Sequence, residues 1–121
     1  MQNPTDIRAP LEELRALSTE ASALYEQGDY ERAQQASEEA LAIAEQALGP
    51  DHPEAASCLG DLGQILEVRG YLAAAEDHYR RALAAKKRAL PKGDLGLPLA
   101  MDSLARVLMA LGKPSEAAVL Y

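Results

Sequence analysis

Apolar residues recur along the chain at three- and four-residue intervals, as in Leu11, Leu14, Leu17, Ala21 and Leu24, and again in Leu59, Leu62, Ile65 and Leu66. That is the period of an α-helix with one face turned to a core, and no stretch alternates apolar and polar residues as a strand would. The pattern predicts helices over about residues 10–27, 30–48, 52–69, 72–90, 96–111 and 114–121. The expected fold class is all-α.

The breaks between these helices are themselves periodic. Gly28, Gly70 and Gly112 stand 42 residues apart, with Leu24, Leu66 and Leu108 four residues before each and Ala33, Ala75 and Ala117 five residues after. A turn residue with positive φ costs least when it lacks a β-carbon, so each glycine reads as the tight link between two antiparallel helices. Asp29 is placed to cap the helix after Gly28, and Pro114 to sit in the first turn after Gly112. In Asp51-His52-Pro53-Glu54 the aspartate and glutamate have the spacing of a capping box opening the next hairpin. One domain over 1–121 is expected, with a tail at 1–9, two full hairpin repeats at about 10–51 and 52–93, and a truncated third at 94–121.

Composition narrows the function classes. The apolar content is mostly Ala and Leu, without Phe or Trp and with five Tyr, which suits close-packed helices. The formal net charge of −7 repels phosphate backbones, so neither nucleic acid nor an anionic membrane is an expected partner. The first residues lack the apolar run of a signal peptide, and no segment approaches the ~18 apolar residues of a spanning helix. A cytoplasmic protein is expected. Most of the positive charge, Arg80, Arg81, Lys86, Lys87, Arg88 and Lys92, gathers near one predicted helix end, where it reads as a solvated, dipole-matched terminus.

The segment Leu59-x2-Leu62-Gly63-x2-Leu66, followed by Gly70, Ala75 and Tyr79, resembles the tetratricopeptide signature, with Leu in place of the usual first tryptophan. A third copy reads Met101-x2-Leu104-Ala105-x2-Leu108, then Gly112, Ala117 and Tyr121. The first copy is weaker, with Glu20 at a leucine position and Ser37 at an aromatic one. The 42-residue period and the run Ala40-Leu41-Ala42-Ile43-Ala44-Glu45-Gln46-Ala47-Leu48-Gly49-Pro50-Asp51-His52-Pro53 resemble the kinesin-light-chain subfamily. Two departures stand out. The paired asparagines common before the repeat's Leu-Ala are Gly60-Asp61 and Asp102-Ser103. Leu90-Pro91-Lys92-Gly93-Asp94-Leu95 replaces the second linker, and with Pro98 it suggests a fifth helix that starts late or gives up a backbone hydrogen bond.

The resemblance implies a right-handed α-solenoid whose first helices line a concave groove and whose second helices form the convex side. By the family's register the groove residues are Arg15, Ser18, Thr19, Ser22, Tyr25 and Glu26 from the first repeat. The second supplies Gly60, Asp61, Gln64 and Glu67, and the third Leu99, Asp102, Arg106 and Met109. Such a groove implies a protein-binding adaptor or scaffold that holds a peptide, with Tyr25 and Met109 as anchors. The acids among these positions favour a neutral or basic partner, and disfavour the clamp with which related co-chaperones hold acidic tails.

Nothing points to catalysis, a cofactor or a metal. Cys58, the single cysteine, reads as a buried inert thiol; His52 as a linker residue; His78 as a helix residue without the neighbours of a general base. The competing expectation is self-association. The sequence stops at Tyr121, a turn or two into the sixth helix, which is expected either of a fragment of a longer array or of a chain whose apolar end around Leu104, Val107, Leu108, Val119 and Leu120 pairs with a second copy, as an assembly segment of a larger bacterial-type regulatory or signalling protein.

Overall fold

The computed structural model describes Asp6 and residues 8–89, 91, 93–94 and 96–120. It contains six helices among these residues: α1 (Arg8–Glu26), α2 (Tyr30–Leu48), α3 (Pro53–Val68), α4 (Leu72–Ala89), α5 (Gly96–Ala110) and α6 (Pro114–Val119). Each packs against its neighbours in sequence, so the chain is an all-α stack of antiparallel hairpins. The expected helices are all present, with described ends that coincide with the expectation or differ from it by at most two residues. Lys92, Tyr121, Leu90, Leu95 and most of the expected N-terminal tail lie outside the described residues.

The hairpin links are built as the glycine period implies. Gly28, Gly70 and Gly112 have φ of 82°, 85° and 76°. The residue after each donates its backbone N–H to Leu24, Leu66 and Leu108 in turn, closing the preceding helix. Asp29 caps α2 by accepting from the Arg32 N–H at 3.3 Å, and Pro114 opens α6.

Two local expectations are corrected. The cap of α3 is His52, whose Nδ1 accepts from the Glu54 N–H at 3.1 Å; Asp51 is instead held by Arg88 of α4 at 2.6 Å. Pro53 occupies the first turn and so fixes the boundary at residue 52, one position later than the aspartate. The second concerns Pro98. It falls third in α5, where a backbone N–H has no partner within the helix, so no bond is given up and the helix does not start late. Asp94 caps that end, accepting from the Gly96 N–H at 2.7 Å.

The main core runs through the stack from Leu14 to Ala117, with Leu59, Leu62, Leu66, Leu83 and Leu104 at its centre. A smaller cluster of Leu24, Ala33 and Ile65 closes the turn end of the first hairpin. The expected self-associating face does not exist as one surface. Leu104, Val107 and Leu108 are core residues, no more than 1% exposed, because α5 lies between α4 and α6 and buries its apolar stripe on both. Val119 is 85% exposed and Leu120 half-buried.

Side-chain bridges tie successive hairpins together. Arg81 reaches Glu45, Arg88 reaches Asp51, Arg80 reaches Glu116, and Lys113 reaches Glu76. The cationic cluster of α4 is thus more than a solvated helix end. Lys86, Lys87 and Arg88 do lie in the last turn, where they complement the helix dipole, but three of its arginines bridge to neighbouring hairpins.

Candidate functional site

The first helices of the hairpins, α1, α3 and α5, carry the candidate groove. Two clefts make it up. The first lies between the first and second hairpins and has a volume of about 250 Å³; Ser18, Ser22, Tyr25 and Glu26 of α1 face Asp61 and Gln64 of α3. The second, about 540 Å³, lies between the second and third hairpins and is bordered by Gly60, Asp61, Gln64, Leu99 and Arg106. Asp61 and Gln64 line both, so the clefts adjoin along α3. A third, shallower apolar depression gathers Asp102, Arg106 and Met109 beside α6.

Three of the residues expected to line the groove are engaged elsewhere. Arg15 is exposed and paired with Glu54 at 3.5 Å, which bridges α1 to α3. The Thr19 hydroxyl donates to the Arg15 carbonyl one turn back. Glu67 is locked: it accepts from Arg106 Nε at 2.7 Å, from Arg106 Nη2 at 2.9 Å and from the Tyr79 hydroxyl at 2.8 Å. This bidentate pair joins α3 to α5 and makes Glu67 a fastening between hairpins. The same charge neutralises Arg106, so the groove offers less positive charge than the sequence suggests.

The electrostatics follow from these contacts. Arg106, and to a lesser degree the Tyr79 hydroxyl, hold the Glu67 carboxyl below the ordinary glutamate range. Burial pushes the Tyr79 phenol up, and Glu67 pushes it further. Asp61 is exposed by area but flanked by groove walls; this partial desolvation raises its carboxyl, and Lys86 pulls it back. Glu26 makes no ion pair with any described residue, so the first cleft has an acidic rim.

Several groove residues escaped the sequence reading. Ser57 and Ser103 sit about one helical turn before Asp61 and after Leu99, a spacing that could have found them. Lys86 and Ser37 come from second helices, α4 and α2, and only the tertiary packing brings them in. Tyr25 is half-buried and packs edge-on against Tyr30, with centroids 5.3 Å apart; Leu99 and Met109 are exposed.

Elsewhere the chemistry is quiet. Cys58 is buried in the core, and desolvation, with Asp61 nearby, pushes its thiol up to about 11, far from a thiolate at neutral pH. His78 Nδ1 lies 2.8 Å from the Ala74 carbonyl of its own helix. No group of His, Cys, Asp or Glu among the described residues is arranged to hold a metal ion, and no helix among them is long and apolar enough to cross a membrane.

Stacked hairpins with adjoining clefts along their first helices define a helical-repeat scaffold of the protein-binding class. The particular family is the tetratricopeptide repeat: its family model matches residues 12–88, and the chain belongs to it. The fold is similar to that of BtubC (BKLC) from P. vanneervenii, with a TM-score of 0.82 at 23% identity over 88% of this chain and 43% of that one. It is similar to the TPR domain of Arabidopsis FLU, with a TM-score of 0.80 at 23% identity over 93% of this chain and 91% of that one. It also resembles the kinesin-light-chain type, in the TPR-like repeats of a Podosopora anserina putative kinesin light chain. There the TM-score is 0.78 at 21% identity, over 99% of this chain and 54% of that one. The chain thus spans less than half of BtubC and about half of the Podosopora protein. No curated protein matches it in sequence.

Proposed function

We propose that the chain is a peptide-binding adaptor whose ligand lies along the groove of α1, α3 and α5, and that it binds rather than catalyses. The observation that carries this reading is that two adjoining clefts share Asp61 and Gln64 as their common border, so that an extended segment crossing α3 would meet residues of all three hairpins. Exposed Leu99 and Met109 offer adaptable apolar contacts at one end, and Tyr25 a fixed ring at the other. The acidic rim of Glu26 and Asp61 selects a neutral or basic segment over an acidic one.

Peptides selected by display against the whole chain test this reading through calorimetric titration. Asp61→Lys and Gln64→Ala are expected to weaken binding about tenfold or more, while Glu39→Ala, on the exposed side of α2, leaves it unchanged. Binding indifferent to both groove variants would sink the proposal. Arg106 is unsuited to this test, because its loss would also free Glu67.

A further inference from the structure

The first and second repeats differ at a buried contact between their two helices. In the second, the Tyr79 ring lies against Gly63, where a β-carbon would come within 2.7 Å of it, and its hydroxyl reaches Glu67. Forty-two residues earlier the same three positions are Ser37, Ala21 and Tyr25. Ser37 is 3% exposed, so a small hydroxyl side chain occupies an interior site that the next repeat fills with a phenol. The first cleft opens there: Ser37, Ala21, Tyr25 and Ile65 all line it.

We infer that this cleft is a socket for an aromatic side chain of a basic peptide, supplied in trans where the first repeat lacks its own ring. The inference rests on the groove reading above and names the chemistry its ligand carries. Size permits it: the cleft holds about 250 Å³, and a cavity of about 150 Å³ already accepts benzene. Its walls suit a tyrosine. Ala21, Ile65 and the Tyr25 ring supply apolar surface, and Ser18, Ser37 and Gln64 supply partners for a phenolic hydroxyl. Tyr25 is braced by Tyr30, so it presents its ring without first having to be ordered. Glu26 and Asp61 at the mouth attract Lys or Arg beside the aromatic residue and repel an acidic neighbour.

Two probes test the socket. The first is p-cresol, the tyrosine side chain alone, titrated into the isotope-labelled chain. Saturable amide shifts are expected at Ser18, Ala21, Ser37 and Ile65, and are expected to vanish in A21G/S37Y, which gives the first repeat the second repeat's ring and glycine. Circular dichroism and thermal unfolding check that this variant is folded. The second is a set of short Lys- and Ser-rich peptides differing only at a central Tyr, Phe or Ala. Tyr and Phe peptides are expected to bind at least about tenfold more tightly than Ala, and A21G/S37Y to erase that difference.

An absence of p-cresol shifts, or shifts that persist in A21G/S37Y, would mean a merely hydrated cleft and overturn the inference. Peptides that bind regardless of the central residue would overturn it too, while the groove reading stood as long as Asp61→Lys still weakened them. Peptides with the expected aromatic preference that ignore Asp61→Lys would instead preserve the socket and refute the acidic mouth as the source of its basic selectivity.

Discussion

Glu67 shows how a residue that its register offers to a ligand can be taken up by the fold. Its register places it on the groove side of α3, yet two bonds from Arg106 and one from Tyr79 consume its carboxylate. Because its folded pKa lies below the unfolded value, the stabilisation is fully present above the ordinary glutamate value of about 4.3 and is lost as pH falls through the lowered one. Glu76, lowered first by Lys113 and then by Arg80, acts in the same direction. The melting temperature is therefore expected to fall steeply only below about pH 4. Glu67→Gln is expected to cost about 1 kcal/mol at neutral pH and to flatten that acid-side slope. Thermal unfolding across a pH series checks both; an unchanged slope in the variant would assign the acid sensitivity to other groups.

At the scale of the element, α3 and α4 are fitted by a hole and a knob, with the absent β-carbon of Gly63 admitting the ring of Tyr79. A methyl group there must displace a ring that is 5% exposed and hydrogen-bonded at its tip, so it cannot simply swing into solvent. Gly63→Ala is expected to destabilise by about 1–3 kcal/mol through overpacking, even though alanine is the better helix former. Urea unfolding measures it. In a Tyr79→Ala background the same substitution is expected to become neutral or stabilising, since the obstacle is gone and only propensity remains. A penalty that survives the double substitution would mean that the strain lies in the backbone rather than against the ring.

For the whole molecule, the question is what holds the hairpins in line. The bridges between them are mostly exposed and individually weak, whereas the core passes without interruption through all three hairpins. Leu108, fully buried between its neighbours, is expected to cost about 3 kcal/mol on truncation to alanine. Val119, 85% exposed, is expected to change stability by less than about 0.5 kcal/mol. Comparing Leu108→Ala with Val119→Ala by urea unfolding, alongside solution mass by light scattering, separates folding from association. Loss of mass without loss of stability in Leu108→Ala would contradict the buried position of that residue.

The architecture was legible in the amino-acid sequence. A helical apolar period, three glycines in register and a signature repeated in step are local or periodic facts, and an α-helix is closed by bonds among its own residues. The expectation of a groove along the first helices has the same kind of basis, since residues three and four apart on one helix share a face. Which of the residues along the first helices are already engaged depends on how distant parts of the chain pack. Glu67 and Arg106 stand 39 residues apart, as do no two positions on one helix face, and their pairing appears once α3 and α5 are laid side by side. The same holds for Lys86 and Ser37, which enter the groove from second helices, and for Leu104, Val107 and Leu108. An apolar stripe states that a helix face must be covered; whether a neighbouring helix covers it depends on how the hairpins stack.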